Sequence, residues 1–185
     1  QGKRLWPISS KNRAKQFCKF NSNKTLLEET LDRYKELGPC TIIGNILDEQ
    51  RLRTIDKVEL ILEKKRLDTA PCLKVVLDTL KDHQAALIVP SDHYMQNCDP
   101  LLSAIKNARL DDVNLHLFGL QALIPYTNLG YLKINAHNKI KAFYEKPTKN
   151  HAKQLIQEGY LHNSGLILTS KKALRHNLES YAPHL

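Results

Sequence analysis

Side chains that could act on a phosphate-bearing substrate occur in a few short stretches of the sequence. One of them, residues 86–93, reads Ala-Leu-Ile-Val-Pro-Ser-Asp-His, so that an apolar run leads directly to Asp92. A carboxylate at the end of a buried strand can hold a metal ion or, through that ion, a substrate phosphate. The alternative is that Asp92 caps the loop or the helix that follows.

The charge balance indicates the class of partner. Lysine and arginine together number 28 against 19 acidic residues, which gives a net charge of +9. Such a surface favours an anionic partner, whether nucleotide, sugar phosphate or nucleic acid. Aromatic residues make up only 6% of the chain, which leaves little for base stacking, and we therefore expect no nucleic-acid binding. A basic surface that binds nothing in particular is the alternative.

The elements that position these residues belong to an ordinary globular chain. With 185 residues, 42% hydrophobic and 25% charged, we expect one domain over residues 1–185. No apolar run approaches the roughly 20 residues of a membrane span, and the start shows no apolar signal segment. The four cysteines are far apart and form no Cys-x-x-Cys pair, which suits reduced thiols. These features predict a cytoplasmic protein without membrane attachment.

Strand and helix patterns alternate along the chain. Strands are predicted at residues 40–43, 58–62, 86–89, 113–120 and 162–168, with a hairpin at 131–134 and 140–144. Helices are predicted at residues 26–37, 48–55, from Pro71 onward, 100–108, 149–158 and 171–181. This order implies an α/β fold with a doubly wound, mainly parallel, Rossmann-like sheet.

One predicted helix begins where an anion could bind. Pro71 suits the first position of a helix, and Asp68 or Thr69 suits its cap. The helix follows the strand at residues 58–62, and a helix N-terminus offers free N–H groups to a phosphate.

The N-terminal stretch carries the first of four blocks that match a known family. Gly2-Lys-Arg-Leu-Trp-Pro-Ile-Ser, followed by Ala14-Lys-Gln-Phe, resembles the signature of the mannose-1-phosphate guanylyltransferases, a family of sugar-1-phosphate nucleotidyltransferases. The resemblance implies that Gly2, Arg4 and Lys15 contact the nucleotide phosphates and that Arg4 and Lys15 are catalytic. Neutralising charge on phosphate oxygens is the main task in phosphoryl transfer. A basic N-terminal arm is the alternative.

The second and third blocks are also on the nucleotide side. Residues 66–71 are similar to the family's Arg-Asn-Thr-Ala-Pro, which implies that Thr69, Ala70 and Pro71 border the guanine nucleotide; an ordinary capped helix start is the alternative. Residues 86–93 are similar to its Leu-Pro-Ala-Asp-His. By that resemblance Asp92 is catalytic and binds Mg²⁺, and Ser91 lines the nucleotide pocket.

The fourth block is spread over three segments on the sugar side. Residues 125–131, 143–147 and 160–165 resemble Pro-Glu-Thr-Gly-Tyr-Gly-Tyr, Phe-x-Glu-Lys-Pro and Tyr-x-Trp-Asn-Ser-Gly. The resemblance implies that Gly130 gives the sugar close backbone access, that Glu145 and Asn163 bind its hydroxyls, and that Lys146 holds its phosphate. His162 stands where the family has tryptophan. For Glu145 and Lys146, an exposed ion pair is the alternative.

The resemblance also implies a reaction and its partners. GTP and mannose 1-phosphate would give GDP-mannose and pyrophosphate for nucleotide-sugar and surface polysaccharide synthesis, with Mg²⁺ as cofactor. The family pattern extends beyond both ends of this sequence, so we expect a partial domain that is weak or inactive alone. The resemblance leaves room for a homo-oligomer or a complementing chain. An inactive or split-gene remnant that binds nucleotide or a partner chain, and a basic nucleic-acid-binding module, are the alternatives.

Overall fold

The computed structural model describes residues 14–64 and 69–184. The chain divides into two compact units. Unit 1 comprises Gln1–Leu80, Pro90–Arg109 and Leu178–Leu185, and unit 2 comprises Lys81–Val89 and Leu110–Asn177. The single domain remains a prediction. Within the described ranges, no helix combines the length and the apolar character that crossing a membrane requires.

Unit 1 contains a parallel pair of strands with helices around it. Its strands are β1 (Thr41–Asn45) and β2 (Glu59–Glu63), which pair in register from Thr41 opposite Glu59 to Asn45 opposite Glu63. Its helices are α1 (Leu26–Tyr34), α2 (Glu49–Leu52), α3 (Thr69–Thr79) and α4 (Asp99–Asn107). Short 3₁₀ helices occupy Lys15–Phe17, Lys35–Leu37 and Ile46–Asp48.

The core of unit 1 covers one face of this strand pair. Leu27, Ile42 and Leu52 are buried together, and Leu60 and Leu62 of β2 pack against them. Because side chains alternate across a strand, the remaining residues of β2 face the other way. The strand therefore has an apolar face on the core and a second face that carries its two glutamates.

Helix α1 begins at a capping box. The Thr25 hydroxyl accepts a hydrogen bond from the Glu28 amide at 3.2 Å, and the Glu28 carboxylate accepts one from the Thr25 amide at 2.6 Å. These backbone and side-chain bonds from Thr25 hold the pKa of Glu28 below its usual value. Two amides that the helix itself leaves unpaired are thereby satisfied.

Replacing the capping hydroxyl should destabilise the chain measurably. Thr25→Ala is expected to lower the free energy of unfolding by about 1 kcal/mol, because the Glu28 amide loses its acceptor. Thr25→Ser keeps the hydroxyl and should stay close to the unaltered chain. Urea unfolding followed by far-ultraviolet circular dichroism measures both variants, and equal losses in the two would show that the methyl group, rather than the cap, matters.

Unit 2 is built on a five-stranded sheet. Its strands are β3 (Ala85–Ile88), β4 (His116–Gln121), β5 (Gly130–Ile134), β6 (Ile140–Glu145) and β7 (Leu161–Ser170). Helix α5 (Lys149–Gln157) lies between β6 and β7 in sequence, and α6 (Lys171–Tyr181) follows β7. The strand order is β3-β7-β5-β6, and β4 pairs with β7.

The predicted α/β class is confirmed, but more strand pairs are antiparallel than the prediction of a mainly parallel sheet implies. In the described residues, β1 and β2 are parallel, whereas β7 is antiparallel to β3, β4 and β5. Since β3 and β4 both oppose β7, they run in the same direction as each other. The β5–β6 hairpin is antiparallel because its tight turn reverses the chain. Hydrophobic patterning marks a strand without giving its direction, so the pattern does not reveal that the ten-residue β7 runs antiparallel to its partners.

The core of unit 2 lies where β5 meets α5. Ala152 and Leu155 of α5 are buried against Tyr131, with Ala122 and Tyr160 beside them. The Tyr131 side chain is completely buried, and its hydroxyl donates a hydrogen bond to the Tyr126 carbonyl at 2.8 Å. This bond ties the segment before β5 to the strand itself, so the position of β5 depends on this cluster.

Candidate functional site

The structure brings Lys15 and Asp92 together within unit 1. Lys15 begins the first 3₁₀ helix, and Asp92 lies in the turn that follows β3 and Pro90. The Lys15 Nζ atom is 3.1 Å from Asp92 Oδ2, and both side chains remain about a third exposed, at 36% and 37%. Two residues from motif blocks far apart in the sequence therefore form one polar centre that solvent, and hence a substrate, can reach. Their catalytic roles stay predictions.

The segment after Asp92 is held by two side chains that the sequence analysis did not single out, one through its backbone and one through a side chain. Arg33 of α1 donates from Nη2 to the His93 carbonyl at 3.4 Å, and Asn21 donates from Nδ2 to the Tyr94 hydroxyl at 2.8 Å. Burial lowers the pKa of His93, and the Lys15 and Arg33 cations lower it further against the opposing effect of Asp92. His93 therefore contributes a backbone contact and a neutral, partly buried ring, as a structural residue would.

The donor set around Asp92 bears on the predicted magnesium ion. Among the residues that the structure describes, no group of three or more histidine, cysteine or acidic side chains could form a closed metal site. Mg²⁺ commonly binds through one or two carboxylates together with substrate phosphates and water. A single exposed carboxylate therefore fits an ion held mainly by the nucleotide, and Mg²⁺ remains a proposal.

The other residues predicted on the nucleotide side are placed only in part. Gly2 and Arg4 lie outside the described residues. Thr69 and Ala70 are exposed and Pro71 is half-buried in the first turn of α3, while Ser91 is half-buried in the same turn as Asp92. Helix α3 begins at Thr69, so the predictions of Thr69 as its cap and of Pro71 as its first residue were wrong, and the alternative cap, Asp68, lies outside the described residues.

Gly130 and Glu145 face each other in unit 2, across the β5–β6 hairpin. A Cβ atom on Gly130 would come within 2.7 Å of Phe143 Cζ and 3.0 Å of Glu145 Oε2. The lack of a side chain at Gly130 thus lets β6 side chains lie over the backbone. The close approach predicted for a sugar at Gly130 is occupied here by the chain's own side chains, and the sugar contact stays a prediction.

Lys146 ends the hairpin with an unusual backbone conformation. Its φ angle is +45°, in the left-handed region that non-glycine residues rarely adopt, and its amide donates to the Leu129 carbonyl at 3.2 Å. The Lys146 Nζ atom contacts Glu145 Oε1 at 2.5 Å, and both side chains are exposed, at 60% and 54%. An exposed pair of this kind contributes little to stability, so both charges are available to a ligand.

Asn163 and His162 lie next to each other on β7. Asn163 pairs in register with Gly119, and its Oδ1 atom accepts a hydrogen bond from the Gly165 amide at 3.1 Å. His162 pairs with Tyr131 of β5. Since neighbouring side chains on a strand point to opposite faces, His162 and Asn163 do not line the same surface.

His162 is instead a buried aromatic residue of the unit 2 core. Its ring meets Tyr131 edge-on at a centroid distance of 4.8 Å and is tilted against Tyr126 at 5.7 Å. The side chain is 6% exposed, and Nε2 has no hydrogen-bond partner in the described part of the chain. Burial lowers the pKa of His162, although a hydrogen bond to the Ile124 backbone partly opposes the shift.

This depressed pKa predicts a loss of stability in mild acid. The unfolded chain takes up a proton near the ordinary histidine pKa of 6.5, while the folded chain resists it, so folding should weaken as the pH falls below 6.5. His162→Phe should flatten the slope of unfolding free energy between pH 7 and pH 5. The exposed His137→Gln serves as control, and an unchanged slope in His162→Phe would contradict the assignment.

Comparisons with known proteins agree with the motif blocks. Residues 1–183 match the sequence pattern of the nucleotidyl transferase family. The chain is 28% identical over 204 residues to a mannose-1-phosphate guanylyltransferase of Sinorhizobium fredii, which covers 99% of this chain and 40% of the relative. It is also 28% identical over 211 residues to an Escherichia coli protein of the same name, covering 100% of this chain and 45% of the relative.

Solved structures give the same picture of the fold. A Thermus thermophilus protein described as a mannose-1-phosphate geranyltransferase superposes with a TM-score of 0.85 at 27% identity, over 97% of this chain and 57% of that one. A Helicobacter pylori protein described as a mannose-6-phosphate isomerase superposes with a TM-score of 0.80 at 25% identity, over 92% and 72%. The chain spans less than half the length of the two curated relatives named above. It belongs to the nucleotidyl transferase family, and its relatives are sugar-phosphate nucleotidyltransferases.

Proposed function

We propose that this chain transfers a guanylyl group from GTP to mannose 1-phosphate, giving GDP-mannose and pyrophosphate. The names of the two curated relatives support this substrate pair, and an alginate biosynthesis protein of Pseudomonas fluorescens, 26% identical over 205 residues, supports a role in polysaccharide precursor synthesis. The ion pair between Lys15 and Asp92 carries the proposal, because it unites two of the three nucleotide-side motif blocks, the first and the third, within the described part of unit 1.

The proposed reaction is an in-line displacement. A phosphate oxygen of mannose 1-phosphate attacks the α-phosphorus of GTP, the bond from that phosphorus to the bridging oxygen breaks, and pyrophosphate leaves with the electron pair. Lys15 places an ammonium group against the charge that builds up on the α-phosphoryl oxygens, and Asp92 orients that ammonium group before substrate binds. Mg²⁺ held by Asp92 would neutralise phosphate charge in the bound complex. No covalent enzyme intermediate is required.

The sugar phosphate would be held by unit 2. Among the sugar-side residues Gly130, Glu145, Lys146 and Asn163, only Lys146 carries the positive charge that a phosphate needs. Its side chain is exposed beside Glu145. The Glu145 carboxylate would accept hydrogen bonds from sugar hydroxyls, and the Asn163 side-chain amide would donate to them or accept from them. Gly130 supports this surface by allowing β6 to pack closely.

Direct assay of the reaction tests the proposal. The purified chain is incubated with Mg²⁺, GTP and mannose 1-phosphate, and GDP-mannose and pyrophosphate are measured separately. Formation of both products in equal amounts supports guanylyl transfer. Product that appears equally with glucose 1-phosphate or with ATP would contradict the proposed substrates while leaving nucleotidyl transfer intact.

Two other outcomes would overturn the proposal in different ways. GTP binding without pyrophosphate release would indicate a non-catalytic relative that retains the nucleotide site. Retention on DNA that weakens steeply with salt, without nucleotide binding, would indicate that the net charge serves nucleic acid instead.

A further inference from the structure

Helix α1 contacts the segment that carries Lys15. Its first residue, Leu26, donates from its amide to the Cys18 carbonyl at 3.0 Å. Leu27 is buried in the core of unit 1, and Phe17 packs against the same cluster. Phe17 belongs to the 3₁₀ helix that begins with Lys15. The start of α1 therefore helps to set the position of Lys15.

The other end of α1 reaches the segment that follows Asp92. Arg33, in the last turn of the helix, donates from Nη2 to the His93 carbonyl at 3.4 Å. Residues 93–96 belong to no helix or strand, and in the described part of the chain they form no backbone-to-backbone hydrogen bond. A segment of this kind takes its position from side-chain contacts, so the bond from Arg33 has a large influence on it.

An open cavity of about 680 Å³ borders this segment. Arg33 of α1 lines it, as do Tyr94 and Met95. Side chains beside a cavity lack packing partners on that side, so apolar contacts hold the segment less firmly than they would in a core. Polar bonds provide the remaining attachment among the described residues: Arg33 binds the His93 carbonyl, and Asn21 binds the Tyr94 hydroxyl at 2.8 Å.

The Arg33 guanidinium is itself held in place. Its Nη1 atom donates to the Thr30 hydroxyl at 3.4 Å, and the group lies 5.7 Å from the centre of the Tyr34 ring. Thr30 and Tyr34 are both buried. An arginine carries its N–H donors in one rigid plane, so a single guanidinium can bind the helix and the His93 carbonyl together. Arg33 thus forms a fixed link from α1.

The distance between Lys15 and Asp92 consequently depends on one helix. Helix α1 contacts the Lys15 segment through its first turn and the Asp92 segment through its last, and all of these residues belong to unit 1. We propose that Arg33 is a positioning residue for guanylyl transfer, which keeps Asp92 Oδ2 3.1 Å from Lys15 Nζ by binding the carbonyl of the next residue. The inference rests on the proposed function for the reaction and adds the residue that keeps its two charges together.

Chemical labelling of Lys15 tests this positioning without requiring turnover. The full chain is treated with a trace of acetic anhydride, and mass spectrometry measures the acetylation rate of each lysine. An amine reacts in its unprotonated form, so Lys15 reacts slowly while Asp92 holds its ammonium group. Asp92→Asn should raise the Lys15 rate by up to about fivefold, the range for release from an exposed ion pair. Arg33→Met should approach the same rate.

Matched variants isolate the guanidinium. Arg33→Met keeps most of the apolar stem, so lost packing contributes little to its effect. Arg33→Lys keeps one cationic donor for the His93 carbonyl but not the second bond to α1, and its Lys15 rate should fall between those of Arg33→Met and the unaltered chain. Arg53 forms an exposed ion pair with Glu49 in the same unit, and Arg53→Met should leave the Lys15 rate unchanged.

Steady-state turnover shows whether the position of Asp92 matters for the reaction. Arg33→Met should lower kcat by about 10-fold or more and leave KM for GTP within about twofold, because residues that orient a reactive group typically matter by 10- to 100-fold. In the Asp92→Asn background the same substitution should cost less than about twofold more, since the carboxylate that Arg33 positions is already absent. A purely structural residue would reduce turnover by the same factor in both backgrounds.

The outcomes separate this inference from the proposed function. An unchanged Lys15 rate in Arg33→Met, at unchanged melting temperature, overturns the inference whether or not the chain turns over, and so does a loss of turnover that multiplies with that of Asp92→Asn. Guanylyl transfer by the unaltered chain then leaves the proposed function standing alone. Faster Lys15 labelling in Arg33→Met, in a chain without turnover, upholds the positioning and overturns the reaction. If Arg33→Met melts at a lower temperature, Arg33→Lys decides, and a Lys15 rate equal to that of Arg53→Met overturns the inference.

Discussion

Asp92→Asn is expected to reduce guanylyl transfer by about 10²- to 10³-fold, the loss typical of removing one preorganised charge from a transition-state site. The substitution keeps the size of the side chain and removes the charge that orients Lys15 at 3.1 Å. Binding of GTP should change much less than turnover, because the interaction matters most when charge builds up during the displacement. Steady-state release of pyrophosphate, with GTP affinity measured separately, checks both expectations.

An ion pair elsewhere in unit 1 provides a matched control. Lys74 and Asp78 on α3 are joined at 2.6 Å, with side chains 39% and 61% exposed, but they belong to no motif block. Asp78→Asn should leave turnover within about twofold of the unaltered chain, since exposed pairs of this kind contribute little. A comparable loss at both positions would mean that turnover responds to surface charge in general.

The double variant, Lys15→Ala with Asp92→Asn, shows whether the two side chains depend on each other in catalysis. Lys15→Ala alone should reduce turnover to a similar extent as Asp92→Asn. If each residue works through the other, the double variant should be little worse than either single one, because effects within a catalytic unit are far from additive. Losses that multiply would show that the two residues act independently, and the ion pair would then not be part of the mechanism.

Local signals in the sequence predicted several elements correctly. Helix α6 occupies residues 171–181 as expected, and α5 ends one residue early, before Gly159, which has a φ angle of +76°. The β5–β6 hairpin turns at Asn138, whose φ of +56° suits asparagine. These elements were predictable because their ends are set by residues only a few positions away.

Other boundaries depend on contacts that a periodic pattern does not reveal. Strand β4 was expected from residue 113 but begins at His116. The Asp111 carboxylate accepts hydrogen bonds from the Asn114 amide at 2.6 Å, from the Asn114 side chain at 2.7 Å and from the Val113 amide at 2.9 Å, and these bonds hold its pKa at about 2. The apolar Val113 therefore lies in an Asx turn, although its side chain fits the strand pattern.

The candidate site was predictable to the extent that its residues belong to motifs. Lys15 and Asp92 were both expected and lie together. Arg33 was missed because it acts through a neighbour distant in sequence, the His93 carbonyl.

Leu155→Ala is expected to have the largest effect on the stability of unit 2. Leu155 is 1% exposed and packs in the cluster with Tyr131 and Ala152. Truncating a buried leucine should cost about 2–5 kcal/mol, from lost burial and from the cavity that remains. The exposed Leu123, at 74%, provides the same substitution on the surface, and Leu123→Ala should stay within about 0.5 kcal/mol.

Hydrogen exchange locates this loss within the chain. Leu155→Ala should speed exchange of the β5 and β7 amides, because Tyr131 of β5 packs on the same cluster and pairs with β7. The β1–β2 amides of unit 1 provide the internal reference. Faster exchange confined to unit 2 would mean that the cluster supports the strand carrying Gly130, and weaker binding of mannose 1-phosphate should accompany it. Equal acceleration in both units would instead mean that the chain unfolds as one cooperative whole, as the predicted single domain would.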